Sequence, residues 1–347
     1  MEKISIEAMC VRKRVLIDVR SPGEFIHGHI PHALNLPLFT DEERKIVGIT
    51  YKKFGKRSAI EKGLELVGFH KLVQEIRRLD LPFAVDIYCA RGGMRSSSVA
   101  WLFELLGYQP TLIDGGYKSY RRWVLKQLSQ PYSLFILGGE TGSGKTKILK
   151  ALAARGENVI DLEGLARHRG SVFGEIEQQP TQEQFENELA LQLFQKKDRA
   201  IWVENESQRI GALTIPRFIF EQMKKAPMVV LQVPEEKRIQ ECLDEYLSLG
   251  AQRLSIAILR LQRRLGGLET KKALDALEQN NFQECCRILL RYYDKKYRYG
   301  LSQRDPKSLT MLPSDTVAGD KIIGEIQEVC SIAKAQLSFC GPGSFEI

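Results

Sequence analysis

The stretch Leu134-Phe-Ile-Leu-Gly-Gly-Glu-Thr-Gly-Ser-Gly-Lys-Thr146 decides the fold of the second part of this chain. Its apolar start predicts a buried strand, and the residues that follow match the phosphate-loop pattern G-x4-G-K-T, which joins a strand to a helix. Lys145 is expected to neutralise outer phosphate oxygens, and Thr146 to bind Mg²⁺ through its hydroxyl. The loop glycines free the backbone N–H groups to surround a diphosphate, and they are Gly139, Gly142 and Gly144.

Further strands are expected beside this phosphate loop. Ile201-Trp-Val-Glu204 is an apolar run that ends on an acid, so Glu204 takes the position of a carboxylate on the metal side, with Glu206 and Arg209 close behind. Met228-Val-Val-Leu-Gln-Val233 is another buried run. The second part of the chain is therefore predicted to hold a small parallel sheet.

Polar and helical segments surround these strands. Asp161-Leu-Glu163 and Arg167-His-Arg-Gly-Ser171 are expected to line the same cleft as the phosphate loop. From Glu235 to about Tyr299 the apolar residues recur at helical spacing. The sequence thus predicts a parallel α/β domain with a helical C-terminal region.

An earlier segment, Cys89-Ala-Arg-Gly-Gly-Met-Arg-Ser96, carries a nucleophile. A free thiol with a pKa of roughly 8.5 is mostly protonated at neutral pH, so a catalytic cysteine needs electropositive surroundings. The two glycines allow backbone N–H groups to turn inward, and Arg91 and Arg95 add positive charge. Cys89 is therefore predicted to be a thiolate facing an anion-binding pocket.

The first part of the chain is also α/β in pattern. Val15-Leu-Ile-Asp-Val19 predicts a short buried strand, and Asp86-Ile-Tyr88 leads into the cysteine loop in the same way. A polar patch at Ser129-Gln-Pro131 marks the expected boundary. With 347 residues the chain suits two domains, predicted at 1–127 and 128–347.

Composition narrows the class of protein and its surroundings. The longest apolar runs fall far short of the roughly 20 residues of a membrane helix, and no export signal is recognisable, so a cytoplasmic protein without a membrane is expected. Seven cysteines without C-x-x-C spacing favour neither a disulfide framework nor a zinc site. Of the adjacent Cys285 and Cys286, one is expected to be packed and the other exposed.

The charge distribution favours a polyanionic partner. The net charge is +8, and residues 1–127 hold 21 Lys and Arg against 14 Asp and Glu, whereas the remainder holds 30 against 29. The stretch Arg287-Ile-Leu-Leu-Arg-Tyr-Tyr-Asp-Lys-Lys-Tyr-Arg-Tyr299 interleaves cations with tyrosines, which suits phosphate contacts and base stacking. A helix with a packed tyrosine face fits the stretch equally well. Combined with the basic first domain, the stretch favours RNA.

Taken together with Asp18-Val-Arg-Ser-Pro-Gly-Glu-Phe25, the cysteine loop resembles that of rhodanese domains, which form a persulfide on the loop cysteine. Ordinary single-domain sulfurtransferases usually show C-x-x-G-x-R, whereas five residues separate Cys89 from Arg95 here. This longer loop also resembles that of dual-specificity phosphatases. A wider pocket and a larger acceptor are implied.

The combination of a rhodanese domain with a P-loop domain resembles the bacterial tRNA 2-selenouridine synthase family over nearly the whole chain. The longer cysteine loop, unusual for a simple sulfurtransferase, is what this family shows. The stretches that carry the likeness are the two loops, the Asp18–Phe25 stretch, Leu112-Ile-Asp-Gly-Gly-Tyr-Lys118, Asp161-Leu-Glu-Gly-Leu-Ala166, His168-Arg-Gly-Ser171, Val203-Glu-Asn-Glu-Ser207 and Tyr292-Tyr-Asp294.

This resemblance implies an enzyme that exchanges sulfur for selenium in the wobble 2-thiouridine of tRNAs for lysine, glutamate and glutamine. The family reaction places a geranyl group from geranyl diphosphate on the sulfur, and selenium from selenophosphate then displaces the geranylated sulfur. Cys89 would carry selenium as an S-selanylcysteine intermediate, aided by Arg91 and Arg95. The P-loop with Lys145, Thr146 and Glu204 would hold the diphosphate. No tightly bound cofactor besides Mg²⁺ at the P-loop is expected, and the protein is expected to be a monomer.

The motifs alone leave three other interpretations open. One is a sulfurtransferase joined to an ATP-dependent, kinase-like domain. A second is an RNA-binding regulator whose P-loop switches affinity while the rhodanese domain is merely structural. The third is a C-x5-R phosphatase that acts without tRNA.

Overall fold

The computed structural model describes residues 1–168, 178–315, 317 and 319–339. The described chain forms two compact units: Met1–Gln130 with Pro180–Leu191, and Pro131–Gln179 with Gln192–Ile347. The predicted boundary lies at residue 127, and the structural division adds a return of the chain to the first unit. The polar segment predicted at 167–171 lies outside the described residues from position 169 onward.

The first unit is built on a parallel sheet of five strands in the order β1-β5-β4-β2-β3. Its strands are β1 (Lys3–Ile4), β2 (Val15–Asp18), β3 (Leu34–Asn35), β4 (Ala84–Tyr88) and β5 (Gln109–Ile113). Its helices are α1 (Ile6–Val11), α2 (Pro22–His27), α3 (Asp41–Leu66), α4 (Phe69–Arg78), α5 (Met94–Leu105) and α6 (Gly116–Gln127). The first ten residues of α9 (Gln182–Lys196) also belong to this unit.

Local sequence explains several of these elements. The Thr40 hydroxyl accepts a hydrogen bond from the Glu43 N–H, and the Glu43 carboxylate accepts one from the Thr40 N–H, so a capping box starts α3. The helix is interrupted at Gly55, whose φ of 82° is non-helical. The apolar residues of β2 and β4 pack under α5, where Val99 and Phe103 are fully buried.

The second unit also holds a five-stranded parallel sheet, in the order β12-β11-β6-β8-β7. Its strands are β6 (Leu134–Gly139), β7 (Asn158–Ile160), β8 (Ile201–Glu204), β11 (Met228–Gln232) and β12 (Leu309–Pro313), and β9 (Arg209–Ile210) pairs with β10 (Leu213–Thr214) as an antiparallel hairpin. Its helices are α7 (Lys145–Ala154), α8 (Leu162–Leu165), α10 (Arg217–Lys225), α11 (Glu235–Leu249), α12 (Ala251–Leu265), α13 (Gly267–Glu278), α14 (Phe282–Ser302) and α15 (Asp320–Phe339).

The α/β class predicted for both parts is confirmed, as is the helical C-terminal region. Helices α11 to α14 enclose their own apolar core, which includes Leu254, Ile258 and Leu289. Cys285 and Cys286 are both fully buried in this core, so the expectation of one exposed thiol was wrong. Neighbouring helices cover both sides of α14 at that point, which a single helix pattern cannot show.

Within the described residues, no helix is both long enough and apolar enough to cross a membrane.

Candidate active sites

The cysteine loop follows the central strand of the first sheet. β4 lies between β5 and β2 and ends at Tyr88, so Cys89 stands at the carboxyl edge of the sheet. Open parallel sheets bind their ligands at this edge. Helix α5 begins at Met94, directly after the loop, and its amino end contributes positive potential to the loop.

The Cys89 thiol is surrounded by hydrogen-bond donors. The Gly93 N–H donates to Cys89 Sγ at 3.3 Å, and the Ser96 hydroxyl donates to it at 3.2 Å. Burial alone would raise the pKa of Cys89, but the Ser96 hydroxyl and the backbone N–H groups of Arg91, Ser96 and Gly93 outweigh burial and lower the pKa. The geometry therefore favours the nucleophilic thiolate.

Three other cysteines have a raised pKa, opposite to Cys89. Burial raises the pKa of Cys285 to about 11, and burial, with the Glu7 charge as a second cause, raises the pKa of Cys10 to about 12. Cys286 is shifted in the same direction, chiefly by burial. The donors of the loop therefore distinguish Cys89 from these three cysteines.

The cysteine loop rests on the turn between β5 and α6. The Tyr117 N–H donates to the Cys89 carbonyl and the Lys118 N–H to the Ala90 carbonyl, both at 2.9 Å. Gly116 has a φ of 55°, and a Cβ there would overlap the Cys89 carbonyl oxygen and lie 2.6 Å from the Gly92 nitrogen. This supporting role of the turn was not predicted, although paired glycines at a strand end could have indicated a close backbone approach.

The two loop arginines occupy different environments. Arg95 Nη1 lies 2.9 Å from Glu24 Oε2, so Arg95 shares its charge with a carboxylate. Burial would raise the pKa of Glu24, but the hydrogen bond and charge of Arg95, with help from Ser21 and Arg44, lower it. Arg91 is exposed, and no ion pair engages it among the residues the structure describes. Arg91 is thus more available than Arg95 to bind an incoming anion.

A buried ion pair that the sequence analysis missed stands near this loop. Arg20 and Asp18 are both almost fully buried, and Arg20 Nη2 donates to Asp18 Oδ2 at 2.6 Å. The Arg20 guanidinium also lies 3.8 Å from the centre of the Tyr117 ring and donates to the Gly28 carbonyl. The pair explains why the Asp18–Phe25 stretch has both an acid and an arginine: they fix the chain after β2.

This ion pair lies beside a cleft of about 620 Å³. Its lining residues are Arg20, Gly23, Glu24, His27, Asp41, Arg44, Lys45, Tyr117 and Glu183. Because Glu24 also binds Arg95, the cleft adjoins the edge of the cysteine loop.

The phosphate loop follows the central strand of the second sheet. β6 lies between β11 and β8, and helix α7 begins at Lys145. Gly142 and Gly144 both have a φ of 79°, and a Cβ on Gly142 would lie 2.6 Å from the Arg238 carbonyl oxygen. Lys145 Nζ donates to the Gly139 carbonyl at 3.0 Å, so its ammonium group lies over the loop. The predicted residues therefore form a phosphate loop of the expected shape.

Three carboxylates gather beside this loop: Glu163, Glu204 and Glu206 each place one oxygen within 4.8 Å of the others. Burial, with Glu163 and Asp161 as like charges and against the attraction of Lys145, raises the pKa of Glu204 to about 7. The Oε2 atom of Glu204 is buried, and no hydrogen-bond partner for it is found in the described part of the chain. Clustered carboxylate oxygens fit the ligand preference of Mg²⁺.

Some of the other residues predicted near the phosphate loop lie at the carboxylate cluster, and others do not. The Thr146 hydroxyl hydrogen bonds to Glu204, which brings the two predicted metal-side residues together. Glu163, expected only to line the cleft, belongs to the carboxylate cluster. Arg209 is exposed on β9 and is no part of that cluster.

An acidic residue inside the phosphate loop is held by two arginines. Glu140 lies 3.1 Å from Arg238 and 2.8 Å from Arg298. Arg238 is buried and makes two hydrogen bonds of 2.8 Å to the Asp294 carboxylate. Arg238 Nη1 also donates to the Thr141 carbonyl at 3.1 Å. Helices α11 and α14 thus fix the phosphate loop through this network, which the sequence analysis missed.

The tyrosines of α14 are mostly packed. Tyr292 and Tyr293 contact each other and the helical core, and Tyr297 is half-buried, whereas Tyr299 is 70% exposed. Of these four rings, only Tyr299 is therefore available for base stacking. The other three tyrosines form the packed face that was the alternative interpretation of this stretch.

A cysteine loop on one parallel sheet and a phosphate loop on another define a rhodanese-like domain joined to a P-loop domain. The rhodanese-like domain model matches residues 5–122, and the model described as tRNA 2-selenouridine synthase AAA domain matches residues 132–318. The chain belongs to the tRNA 2-selenouridine synthase family, a family of enzymes.

Several curated relatives of this chain are named tRNA 2-selenouridine synthase. The protein from Sulfurovum sp. is 38% identical over 85% of this chain and 90% of its own length. The Psychromonas ingrahamii protein is 35% identical over 84% of this chain and 89% of its own. The Shewanella denitrificans protein is 35% identical over 87% of this chain and 92% of its own.

Proposed function

We propose that this protein converts the wobble 2-thiouridine of tRNAs for lysine, glutamate and glutamine into 2-selenouridine, through an S-geranylated intermediate. The observation that carries the proposal is the presence, in one chain of this family, of a loop cysteine surrounded by hydrogen-bond donors and a phosphate loop with clustered carboxylates. We expect it to act as a cytoplasmic monomer on tRNA.

The first step is alkylation at the phosphate loop. The thiocarbonyl sulfur of the base forms a bond to C1 of geranyl diphosphate, the bond from C1 to the diphosphate oxygen breaks, and the N3 proton of the base passes to water. Backbone N–H groups of the loop and the Lys145 ammonium hold the departing diphosphate, whose charge increases as it leaves. S-alkylation makes the sulfur a better leaving group for the second step.

The residues present fit a magnesium ion at this loop. Thr146, Glu204, Glu163 and Glu206 would hold it, because their oxygens are close together and one Glu204 oxygen is buried without a partner among the described atoms. The ion would supply positive charge to neutralise the diphosphate.

Replacing Glu204 with glutamine should weaken Mg²⁺ binding, as measured by calorimetry, while Glu157→Gln serves as a control on the same unit.

The second step is selenation at the cysteine loop. Selenium of selenophosphate bonds to the Cys89 sulfur, water takes up the phosphoryl group as phosphate, and two electrons pass to a small disulfide. Arg91 and the loop N–H groups hold the anion, while Glu24 keeps Arg95 oriented at its edge.

The perselenide on Cys89 then attacks C2 of the geranylated base and expels the geranyl thiolate. One thiol attacks the Cys89 sulfur and releases 2-selenouridine, and a second thiol then releases the Cys89 thiolate, so the two thiols return the two electrons and join in a disulfide. The sum of these steps is redox neutral, because the disulfide consumed at loading is formed again at release.

The test is mass spectrometry of nucleosides from 2-thiouridine tRNA incubated with the protein, Mg²⁺ and geranyl diphosphate, with and without selenophosphate and a thiol–disulfide pair. Geranylated nucleoside without selenium, and 2-selenouridine once selenophosphate is added, are expected. An unchanged nucleoside under both conditions would refute the proposal, and ATP consumption would then support an ATP-dependent sulfurtransferase.

Two variants separate the steps. Cys89→Ser should geranylate normally and form no 2-selenouridine. Lys145→Ala should fail to geranylate, yet convert tRNA that has been geranylated beforehand. Loss of both activities in either folded variant would contradict this division of roles.

A further inference from the structure

One face of α14 carries a row of cations. Arg291, Lys295 and Arg298 are spaced four and three residues apart, so they follow one another along a single side of the helix. All three are exposed, and they line a cleft of about 310 Å³ together with Glu235 and Asp294. We call the three cations the α14 cationic face.

The acids in this cleft do not neutralise the face. Asp294 is bound by the buried Arg238 through two hydrogen bonds, and Glu235 lies 3.7 Å from Arg287. Over the described ranges of the chain, Arg291 and Lys295 have no ion-pair partner. These two cations of the face therefore present uncompensated positive charge to solvent, whereas Arg298 is paired with Glu140.

The α14 cationic face contacts the phosphate loop at its C-terminal end. Arg298 Nε lies 2.8 Å from Glu140 Oε1, and Glu140 is a loop residue. One position earlier, Tyr297 packs against the strand that leads into the loop, where a Cβ on Gly138 would lie 2.7 Å from the tyrosine oxygen. A polyanion that occupies the face is thereby brought to the edge of the diphosphate site.

We infer that the α14 cationic face binds backbone phosphates of the tRNA strand that carries the thiolated base. The inference rests on the proposed function, because the sulfur of the base must reach the prenyl donor held at the phosphate loop. Arginine and lysine bind phosphate oxygens through charge-assisted hydrogen bonds without reading the base. One such face therefore suits several tRNAs of different sequence.

The test is the double variant Arg291→Gln/Lys295→Gln, which leaves Arg298 and its contact with Glu140 in place. Binding of fluorescent 2-thiouridine tRNA is measured by anisotropy over a series of salt concentrations. Each lost phosphate contact reduces the slope of log affinity against log salt by about 1, so the double variant should lower it by about 2, equally for all three tRNAs. Affinity for geranyl diphosphate without RNA should stay unchanged.

The matched control is Lys225→Gln/Lys271→Gln, which removes the same charge from exposed positions elsewhere on the same unit. It should leave the slope near that of the unaltered protein, and thermal unfolding should confirm that both variants fold. An unaltered slope in the α14 variant, a loss equal to that of the control, or absence of tRNA binding by the unaltered protein would overturn the inference. Binding that depends on α14 without any geranylation would instead refute the proposed function alone.

Discussion

At the residue scale, the chemistry of the first unit depends on the donors around one sulfur. Cys89 is only 3% exposed, a setting that by itself favours the neutral thiol. The Ser96 hydroxyl and three backbone N–H groups outweigh burial and lower the pKa of Cys89. A cysteine in the same strand-end position without these donors would be an ordinary buried thiol.

Ser96→Ala should therefore raise the pKa of Cys89 and slow its reaction at neutral pH. A hydrogen bond to a charged group contributes about 1.5–3 kcal/mol, which is the stabilisation the thiolate would lose. The rate of iodoacetamide labelling of the Cys89 peptide, followed by mass spectrometry from pH 5 to 10, should show a midpoint shifted to higher pH. Ser98→Ala, whose hydroxyl bonds to the Met94 carbonyl and not to the thiol, is the control. A midpoint that does not move would exclude Ser96 as the main donor.

At the element scale, the turn before α6 supports the cysteine loop through direct backbone contact. Gly116→Ala adds a methyl group where the Cys89 carbonyl oxygen lies, so the loop must shift. We expect selenation to be lost and thermal stability to fall, whereas geranylation should persist. Gly107→Ala imposes a similar left-handed backbone strain of about 1–2 kcal/mol in open space, so it should lower stability modestly and leave selenation intact. Equal activity losses in both variants would contradict the contact argument.

The helices behind the phosphate loop stabilise it through a buried charge network. Asp294→Asn removes one partner of the buried Arg238, and breaking such a pair costs about 3–5 kcal/mol. A lower unfolding temperature and a higher KM for geranyl diphosphate should result. Glu61→Gln, which breaks an exposed pair with Arg57, should change stability by less than about 1 kcal/mol. An unchanged KM would show that the network does not position the loop.

Both loops and their parent strands could be predicted because local patterns specify them. An apolar run followed by glycines describes β6 and its loop whatever surrounds them, and the same holds for β4. The Arg238–Asp294 pair joins residues 56 positions apart, and no local pattern reports such a partner. The sequence shows a glycine at position 116 but not why a glycine is needed there. The need arises from the Cys89 carbonyl, which lies against Gly116 only in the folded chain.

At the scale of the whole molecule, the first unit is completed by a segment that comes late in the sequence. Asn187 is fully buried, and its amide donates to Tyr117 Oη and to the His29 carbonyl, both at 2.9 Å. Its side-chain oxygen accepts a hydrogen bond of 2.6 Å from Arg121. The segment Pro180–Leu191 is thus part of the structure that holds α6 and the cysteine loop in place.

Asn187→Ala should destabilise the first unit, because each buried polar group left without a partner costs about 1–3 kcal/mol. Differential scanning calorimetry of the full chain should show a lower temperature for the unfolding transition of the first unit. Gln195→Ala, at an exposed position of α9, should leave it in place. Matching transitions in the two variants would mean that the buried amide adds nothing.

The return of the chain to its first unit has a consequence for biosynthesis. Ribosomes extend a chain by about 5–20 residues per second and domains generally fold in order of emergence. Here the residues that follow Gln130, β6 and α7 among them, leave the ribosome before Pro180–Leu191 does. The nascent rhodanese-like unit therefore stays incomplete while the first two strands of the phosphate-binding sheet, β6 and β7, are translated.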